Sequence, residues 1–454
     1  MHLRSAIAGS SGPEKRWLWG RTRSLALASM ATTSFLPDNT DRLVGRNVML
    51  LCNDQLAAAA ALIDMDGVAA RILLCPPDVK DGYIGELAAN GGIDVIVGTP
   101  GRISAAATID RHFLELDLTK PYPARTYTLD PIATEWLLLT SGTSGIPKIV
   151  QHSLASLTAA ITIGRSENPP IWSTFYDIRR YGGLQIFLRA MLGGGSMVLS
   201  DPHEPAADFL QRLADRRVTH ISGTPSHWRR AIMSANALAI SPAYVRMSGE
   251  IADQKIIDAL RDVYPGAVVS HAFASTEAGV GFAVDDGREG FPAAFAETTN
   301  MKIADSTLRI RSSGAALRYI GSDAPQLRDQ DGFVDTGDVV ERRDDRYVFV
   351  GRRGGIINIG GNKVHPEEVE ALINRHGAVR MSLVKARKSA VIGAIIVAEI
   401  VLSEDSVGGD EAQLMSNIMT FCRNSLPAHK VPAMIKFVPS LDIAQSGKIV
   451  RTHA

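Results

Sequence analysis

Residues 137–153 read LLLTSGTSGIPKIVQHS. The apolar run Leu137–Leu139 has the character of a buried strand and leads straight into a loop with hydroxyls at Thr140, Ser141, Thr143 and Ser144. Gly142 and Gly145 alternate with those hydroxyls, and Pro147 and Lys148 close the loop. Glycines let backbone N–H groups approach an anion, hydroxyls add donors, and the lysine adds a point charge, so the loop is a phosphate cradle. It is not the P-loop G-x-x-x-x-G-K-S/T, because Pro147 precedes the lysine and Ile149 follows it. A Ser/Gly/Thr surface turn has the same composition; the order of residues directly after an apolar strand argues for the cradle.

Outward from this loop, short apolar runs alternate with helical stretches. Asn47–Cys52, Ala70–Cys75, Ile93–Val97 and Trp136–Thr140 read as strands, with an Ala-rich helix over Gln55–Ile63. Ser196–Leu199, Val218–Ser222 and Ala267–Ser270 continue the series, with helices over Pro205–Arg216 and Asp253–Val263. Alternation of this kind predicts parallel α/β layers. From about Lys302 the texture changes to short antiparallel strands at Thr307–Arg311, Gly332–Val334 and Arg346–Val350. A further αβ unit runs from Gly355 to the end. Its helix over Glu367–Arg375 has Pro366 at the first position, acids in the first turn and Val369, Leu372 and Ile373 on one face. The expected fold class is therefore α/β: a large N-terminal domain of layered sheets with a small β-barrel-like part, then a small mobile α+β C-terminal domain.

The composition excludes several classes. The chain has 454 residues, 45% hydrophobic and 21% charged, enough for two or three domains. Lys+Arg and Asp+Glu both number 48, so no global charge attracts nucleic acid or an acidic membrane, and any polyanion must be held by a local site. The three cysteines, Cys52, Cys75 and Cys422, have neither disulfide nor zinc-site spacing and suit a reducing, cytoplasmic compartment. No apolar stretch reaches the ~18 residues a membrane span needs. Residues 1–40 stand apart. Arg4, Lys15, Arg16, Arg21 and Arg23 face the single acid Glu14, and Gly9–Pro13 interrupts any amphipathic helix. The expectation is a disordered or targeting extension, followed by an N-terminal domain over 41–354 and a C-terminal domain over 355–454.

The loop resembles that of the adenylate-forming acyl-CoA synthetases, adenylation domains and luciferases, Ser/Thr-Ser-Gly-Ser/Thr-Ser/Thr-Gly-x-Pro-Lys, which Thr140–Lys148 matches throughout. Further segments follow in the family's order. His271–Gly279 (HAFASTEAG) resembles the family's Y-G-x-T-E, Val334–Val339 (VDTGDV) its T-G-D, Gly351–Glu370 (GRRGGIINIGGNKVHPEEVE) its hinge region, and Ser446–Arg451 (SGKIVR) its closing segment. The resemblance spans residues 41–454. It implies nucleotide contacts from Thr140, Ser141, Gly142, Thr143, Ser144, Gly145, Lys148, Gly249, Phe273, Asp338 and Arg352. Phe273 would pack on adenine, and Asp338 would accept both ribose hydroxyls. Thr276 would touch phosphate, Glu277 would help hold Mg²⁺, and Lys448 would be the catalytic lysine. Gly355 falls at the hinge, and Gly360 and Gly361 on the turn that lines the thiol tunnel. The chain departs from the family at Phe273 (usually Tyr), Ala274 (usually Gly), Gly355 (usually Asp or Lys) and Asn358 (often Lys).

The implied function is ATP-dependent activation of a carboxylic acid to an acyl-adenylate and transfer to a thiol. Coenzyme A is the expected thiol, with the phosphopantetheine of an acyl carrier protein as the alternative and a non-catalytic nucleotide-binding relative as the rival. The acid pocket is expected from Phe175, Tyr181, Gly182, Ser222, Ala274 and Gly279, whose small and aromatic side chains suit an aryl or fatty acid. Arg179 and Arg180 are read as facing water, with a substrate carboxylate as the other option.

Overall fold

A computed structural model describes the chain except residues 1, 10–12, 38–39, 107–108, 125–130, 141–144, 163–167, 322–323, 360–361, 390–392, 443–448 and 450–454. Two large sheets carry the N-terminal part. The first has seven strands in the order Arg318–Ile320, Ile149–Ser153, Glu135–Leu139, Arg71–Leu74, Asn47–Leu51, Val95–Gly98 and His112–Glu115. Its last five run parallel, and Ile149–Ser153 and Arg318–Ile320 add antiparallel to the edge. The second has eight strands, of which Val268–Ser275, Tyr244–Ser248, His220–Gly223, Ile171–Thr174, Ser196–Leu199 and Trp17–Trp19 are parallel neighbours.

Strand side chains alternate between faces, and the seven-stranded sheet uses both. Val48 and Leu50 enter the core between the two sheets, while Met49 and Leu51 enter a second core on the outer face. The helix Gln55–Met65 lies in the central core with all of its residues buried, as does most of Tyr181–Leu192. Helices apolar all round are stable only when covered on every side, and the two sheets cover these.

A five-stranded antiparallel sheet follows, built from Phe291–Pro292, Met301–Ala304, Thr307–Ile310, Val334–Arg343 and Arg346–Arg352. The T-G-D segment, expected as a link between strands, lies inside the strand Val334–Arg343, where Gly337 takes φ +70° beside a bulge at Val339/Val340. The last unit has its own core, drawn from Ile357 to Ile435 and including Val369, Ile373, Ile396 and Cys422. It holds a three-stranded sheet of Val379–Ser389, Gly393–Leu402 and Met434–Phe437, with the helices Pro366–Ile373 and Glu411–Ser425. Pro366 occupies the first turn as expected.

Residues 3–36 correct the expectation of a disordered extension. Leu3, Ile7, Leu18, Leu27 and Met30 are fully buried in the central core, and Leu18 pairs with Met197 in the eight-stranded sheet. The arginines that gave the segment its targeting look have distant partners. Arg4 pairs with the buried Asp64. Arg16, 2% exposed, donates to the carbonyls of Gly195 (2.9 Å), Ala190 (3.0 Å) and Met191 (2.8 Å) around the end of the helix Tyr181–Leu192.

Candidate active site

The phosphate-loop strands form a hairpin, Glu135–Leu139 against Ile149–Ser153, whose mouth is tied by Thr140 N–H to Lys148 C=O at 2.9 Å. Gly145 has φ +96°, a conformation that favours glycine. Ser141, Gly142, Thr143 and Ser144 lie outside the described residues. On the edge of the hairpin, Val150 pairs with Tyr319. The Lys148 ammonium sits 5.6 Å from the centre of the Tyr319 ring, and the Tyr319 hydroxyl donates to Glu277 Oε1 at 3.4 Å. Burial and the Glu277 charge push that phenol up to about 12, so it stays a donor at neutral pH.

His152, one strand position from Gln151 on the same hairpin, is fully buried and bridges to the T-E segment. Its Nε2 lies 2.8 Å from the Thr276 carbonyl and its Nδ1 3.1 Å from Ser156 Oγ. Since a carbonyl only accepts, Nε2 carries the proton. Burial lowers the imidazole to about 4, so at neutral pH it is an uncharged strut fixing Thr276 and Glu277 to the phosphate-loop strand. Neither His152 nor Tyr319 was singled out from the sequence, although His152 lies within the quoted 137–153 stretch.

Asp338 and Arg352 face each other across neighbouring strands, with Arg352 Nε donating to Asp338 Oδ1 at 3.1 Å. Asp338 raises the guanidinium pKa most, and Glu277 and Glu367 add to it, which places all three carboxylates within electrostatic reach of Arg352. Lys148, Tyr319, Glu277, Arg352 and Asp338 therefore form one charged cluster drawn from separate stretches of chain. Gly249, at φ +85°, turns the chain after Tyr244–Ser248 and presents Glu250. Glu250 accepts from Ser226 N–H at 3.0 Å and from Ile449 N–H at 3.2 Å. Lys448, Gly360 and Gly361 are outside the described residues. Gly355 closes the exposed turn Arg353–Gly355, between the five-stranded sheet and the C-terminal core.

The ring of Phe273, expected to pack on adenine, is half-buried and stacked on Phe349 (5.6 Å, 10°) and Phe282 (5.8 Å, 21°) against the aromatic core of the five-stranded sheet. The six acid-pocket candidates do not form one lining. Phe175 stacks on His227 at 5.2 Å, the buried Ser222 accepts from Phe175 N–H, and Gly182 abuts the Tyr176 ring, so these three gather around Tyr176 and His227. Tyr181 is buried in the central core 5.6 Å from the His152 ring, and Ala274 packs against the same core. Gly279 has φ +75°, and a Cβ there would lie 2.4 Å from the Gly314 carbonyl, so its smallness serves a close backbone approach. Arg179 and Arg180 do not face water. Arg179 is fully buried, forked onto Asp177 (2.8 and 2.5 Å) and bonded to the Cys52 carbonyl, and Arg180 pairs with Asp78. The sequence could not distinguish these arginines from solvated ones, because Cys52 and Asp78 lie more than 100 residues away.

The contacts of Lys148, Tyr319 and Glu277, the Asp338–Arg352 pair and the separately cored C-terminal unit fall on the segments that carry the resemblance to adenylate-forming enzymes. The chain belongs to the AMP-binding enzyme family: that family's model matches residues 78–315, and the model of its C-terminal domain matches 368–448. Its reaction class is that of the AMP-forming acid–thiol ligases. It is 25% identical over 430 residues to a 2-succinylbenzoate–CoA ligase of Bacillus velezensis, covering 90% of this chain and 82% of that one. It is also 25% identical to the fatty acid–[acyl-carrier-protein] ligase MmaC of Mycobacterium marinum, covering 71% and 67%. In fold it is similar to the anthranilate CoA ligase AuaEII, solved with anthranoyl-AMP, with a TM-score of 0.81, 17% identity and coverage of 99% and 95%. No helix among the described residues is long and apolar enough to cross a membrane.

Proposed function

We propose that this chain uses ATP to convert an apolar carboxylic acid, aryl or fatty, to its acyl-adenylate and then transfers the acyl group to coenzyme A in the cytoplasm. The carrying observation is the cluster in which Lys148, Tyr319, Glu277, Arg352 and Asp338 meet. A carboxylate oxygen attacks the α-phosphorus, the bond to the bridging oxygen breaks, and pyrophosphate leaves. Two anions must meet, so positive charge and alignment are what the protein has to supply. Lys148 and the loop amides face the phosphates, Asp338 accepts the ribose hydroxyls with Arg352 beside it, and Lys448 neutralises the carboxylate and the α-phosphate oxygen. Glu277 is partly exposed with one described side-chain partner, which suits a carboxylate that shares Mg²⁺ with substrate phosphates. Bound Mg²⁺ would supply charge neutralisation. In the second half-reaction the thiol sulfur, its proton lost, bonds to the acyl carbon and AMP leaves.

The acid is expected around Phe175, Tyr176, Gly182 and His227, where aromatic rings meet a glycine. Acceptance by an acyl carrier protein is the second reading, favoured by the similarity to MmaC. A panel of aryl and fatty acids, read as acid-dependent exchange of labelled pyrophosphate into ATP, tests the first half-reaction. Supplying coenzyme A or a phosphopantetheinylated carrier to the best acid then separates the acceptors. No exchange with any acid would overturn the ligase reading and leave a nucleotide-binding relative.

A further inference from the structure

The helix Gln254–Val263 begins four residues after Glu250, and its first two residues hold the C-terminal unit. Lys255 Nζ donates to the carbonyls of His376 (3.2 Å) and Val379 (2.8 Å), which lie in the turn between the helix Pro366–Ile373 and the strand Val379–Ser389. Gln254 and Glu289 bond reciprocally, Gln254 N–H to Glu289 Oε2 at 3.1 Å and Glu289 N–H to Gln254 Oε1 at 3.0 Å. Glu289, fixed in this way, takes Arg375 at 3.0 Å through its other oxygen. The C-terminal turn thus meets an ammonium at its carbonyls and a carboxylate at its guanidinium. The same short stretch, through Glu250, also takes the N–H of Ile449, the residue after Lys448. A lysine on a helix surface usually extends into water. This one is half-buried and committed to carbonyls more than 120 residues away.

We propose that Lys255, supported by the Gln254–Glu289–Arg375 chain, is a positioning residue that clasps the C-terminal unit in the orientation used for adenylation and must release it before the thiol step. The proposal rests on the ligase reading above. The clasp contacts neither nucleotide nor acid. It acts through the placement of the segment that ends at Ile449, so its loss slows one half-reaction and spares the other.

The test compares Lys255→Met, which keeps the stem and removes the donors, with Lys255→Arg, which keeps a charge able to span two carbonyls. Single-turnover adenylation should slow roughly tenfold in Lys255→Met, the scale of one charge-assisted hydrogen bond. Thioester formation from supplied acyl-adenylate should hold or rise, and Lys255→Arg should recover most of the adenylation rate. Equal losses in both half-reactions, or none in either, would overturn the clasp. A readout free of chemistry separates this from failure of the ligase reading: spin labels at Asp262→Cys and Thr420→Cys, both exposed positions on opposite units. Their distance distribution should be narrow with Lys255 and broadened in Lys255→Met. An unchanged distribution would sink the clasp even if no acid were ever activated.

Discussion

Asp338 and Lys448 carry the sharpest expectations at the level of single residues. Asp338 already holds Arg352 across the strand pair, so its carboxylate is oriented before nucleotide arrives. Asp338→Ala removes the acceptor for two ribose hydroxyls and leaves Arg352 without that partner. ATP binding should weaken by ~1–3 kcal/mol, the range for hydrogen bonds to a charged group. Calorimetric titration with ATP checks this, and an unchanged affinity would reject the assignment. Lys448→Ala should slow adenylation by ~10²–10³, the usual loss for one preorganised donor, and barely change thioester formation from supplied acyl-adenylate. Single-turnover rates for both half-reactions decide it; if the two fall together, Lys448 is not the adenylation lysine. Both residues were singled out by their motifs. His152 and Tyr319 were not, because a buried histidine and a strand tyrosine have no local signature, and their partners Thr276 and Glu277 reach them only through folding.

Among the secondary-structure elements, the N-terminal segment shows how composition misleads. Its strand Trp17–Trp19 extends the eight-stranded sheet, and Arg16 spans three carbonyls at the end of a central helix. Burial lowers the Arg16 guanidinium to about 10, still charged at neutral pH. Arg16→Ala leaves buried carbonyls without that donor and should destabilise the protein by about 1–3 kcal/mol, seen as a lower urea midpoint. Arg16→Lys should recover little, since one ammonium on a flexible stem does not match a planar fork that reaches three acceptors. A midpoint equal to wild type in Arg16→Ala would show that the segment docks without its arginine. Alternating apolar runs located seven strands of the two large sheets, and Ser196–Leu199 matches its expected bounds. Ile171–Thr174 and Tyr244–Ser248, both inside the eight-stranded sheet, were not read as strands. The strand Val334–Arg343 runs well past the expected Gly332–Val334, carried through its Gly-Asp pair by a glycine at positive φ and a bulge.

At the scale of the whole molecule, the N-terminal sheets and the C-terminal unit have separate cores. The C-terminal core begins at Ile357, directly after the exposed turn Arg353–Gly355. A Cβ added at Gly355 would come no closer than 3.9 Å to any atom beyond its chain neighbours, so added bulk there is tolerated in this orientation and what proline removes is freedom of φ. Gly355→Pro should therefore spare adenylate formation and block thioester formation. Parallel measurement of pyrophosphate release and thioester yield tests this, and equal loss of both in a folded variant would place the hinge elsewhere.

Local order along the chain was enough to identify the alternating α/β layers and the family and to single out the motifs that carry the resemblance. Those features depend on neighbours a few positions apart: a strand running into glycines and hydroxyls, an aspartate after Thr-Gly, a proline opening a helix. The state of long charged side chains was decided only in three dimensions. Arg179 and Arg180 read as facing water and Arg4 and Arg16 as part of a basic extension, yet each finds a carboxylate or carbonyl far along the chain. The pocket candidates divided because Phe175 follows the strand Ile171–Thr174 and packs against one core, while Tyr181 opens a helix buried in another. Burial and charge pairing depend on what folding brings within a few ångströms, and a one-dimensional pattern does not contain that distance.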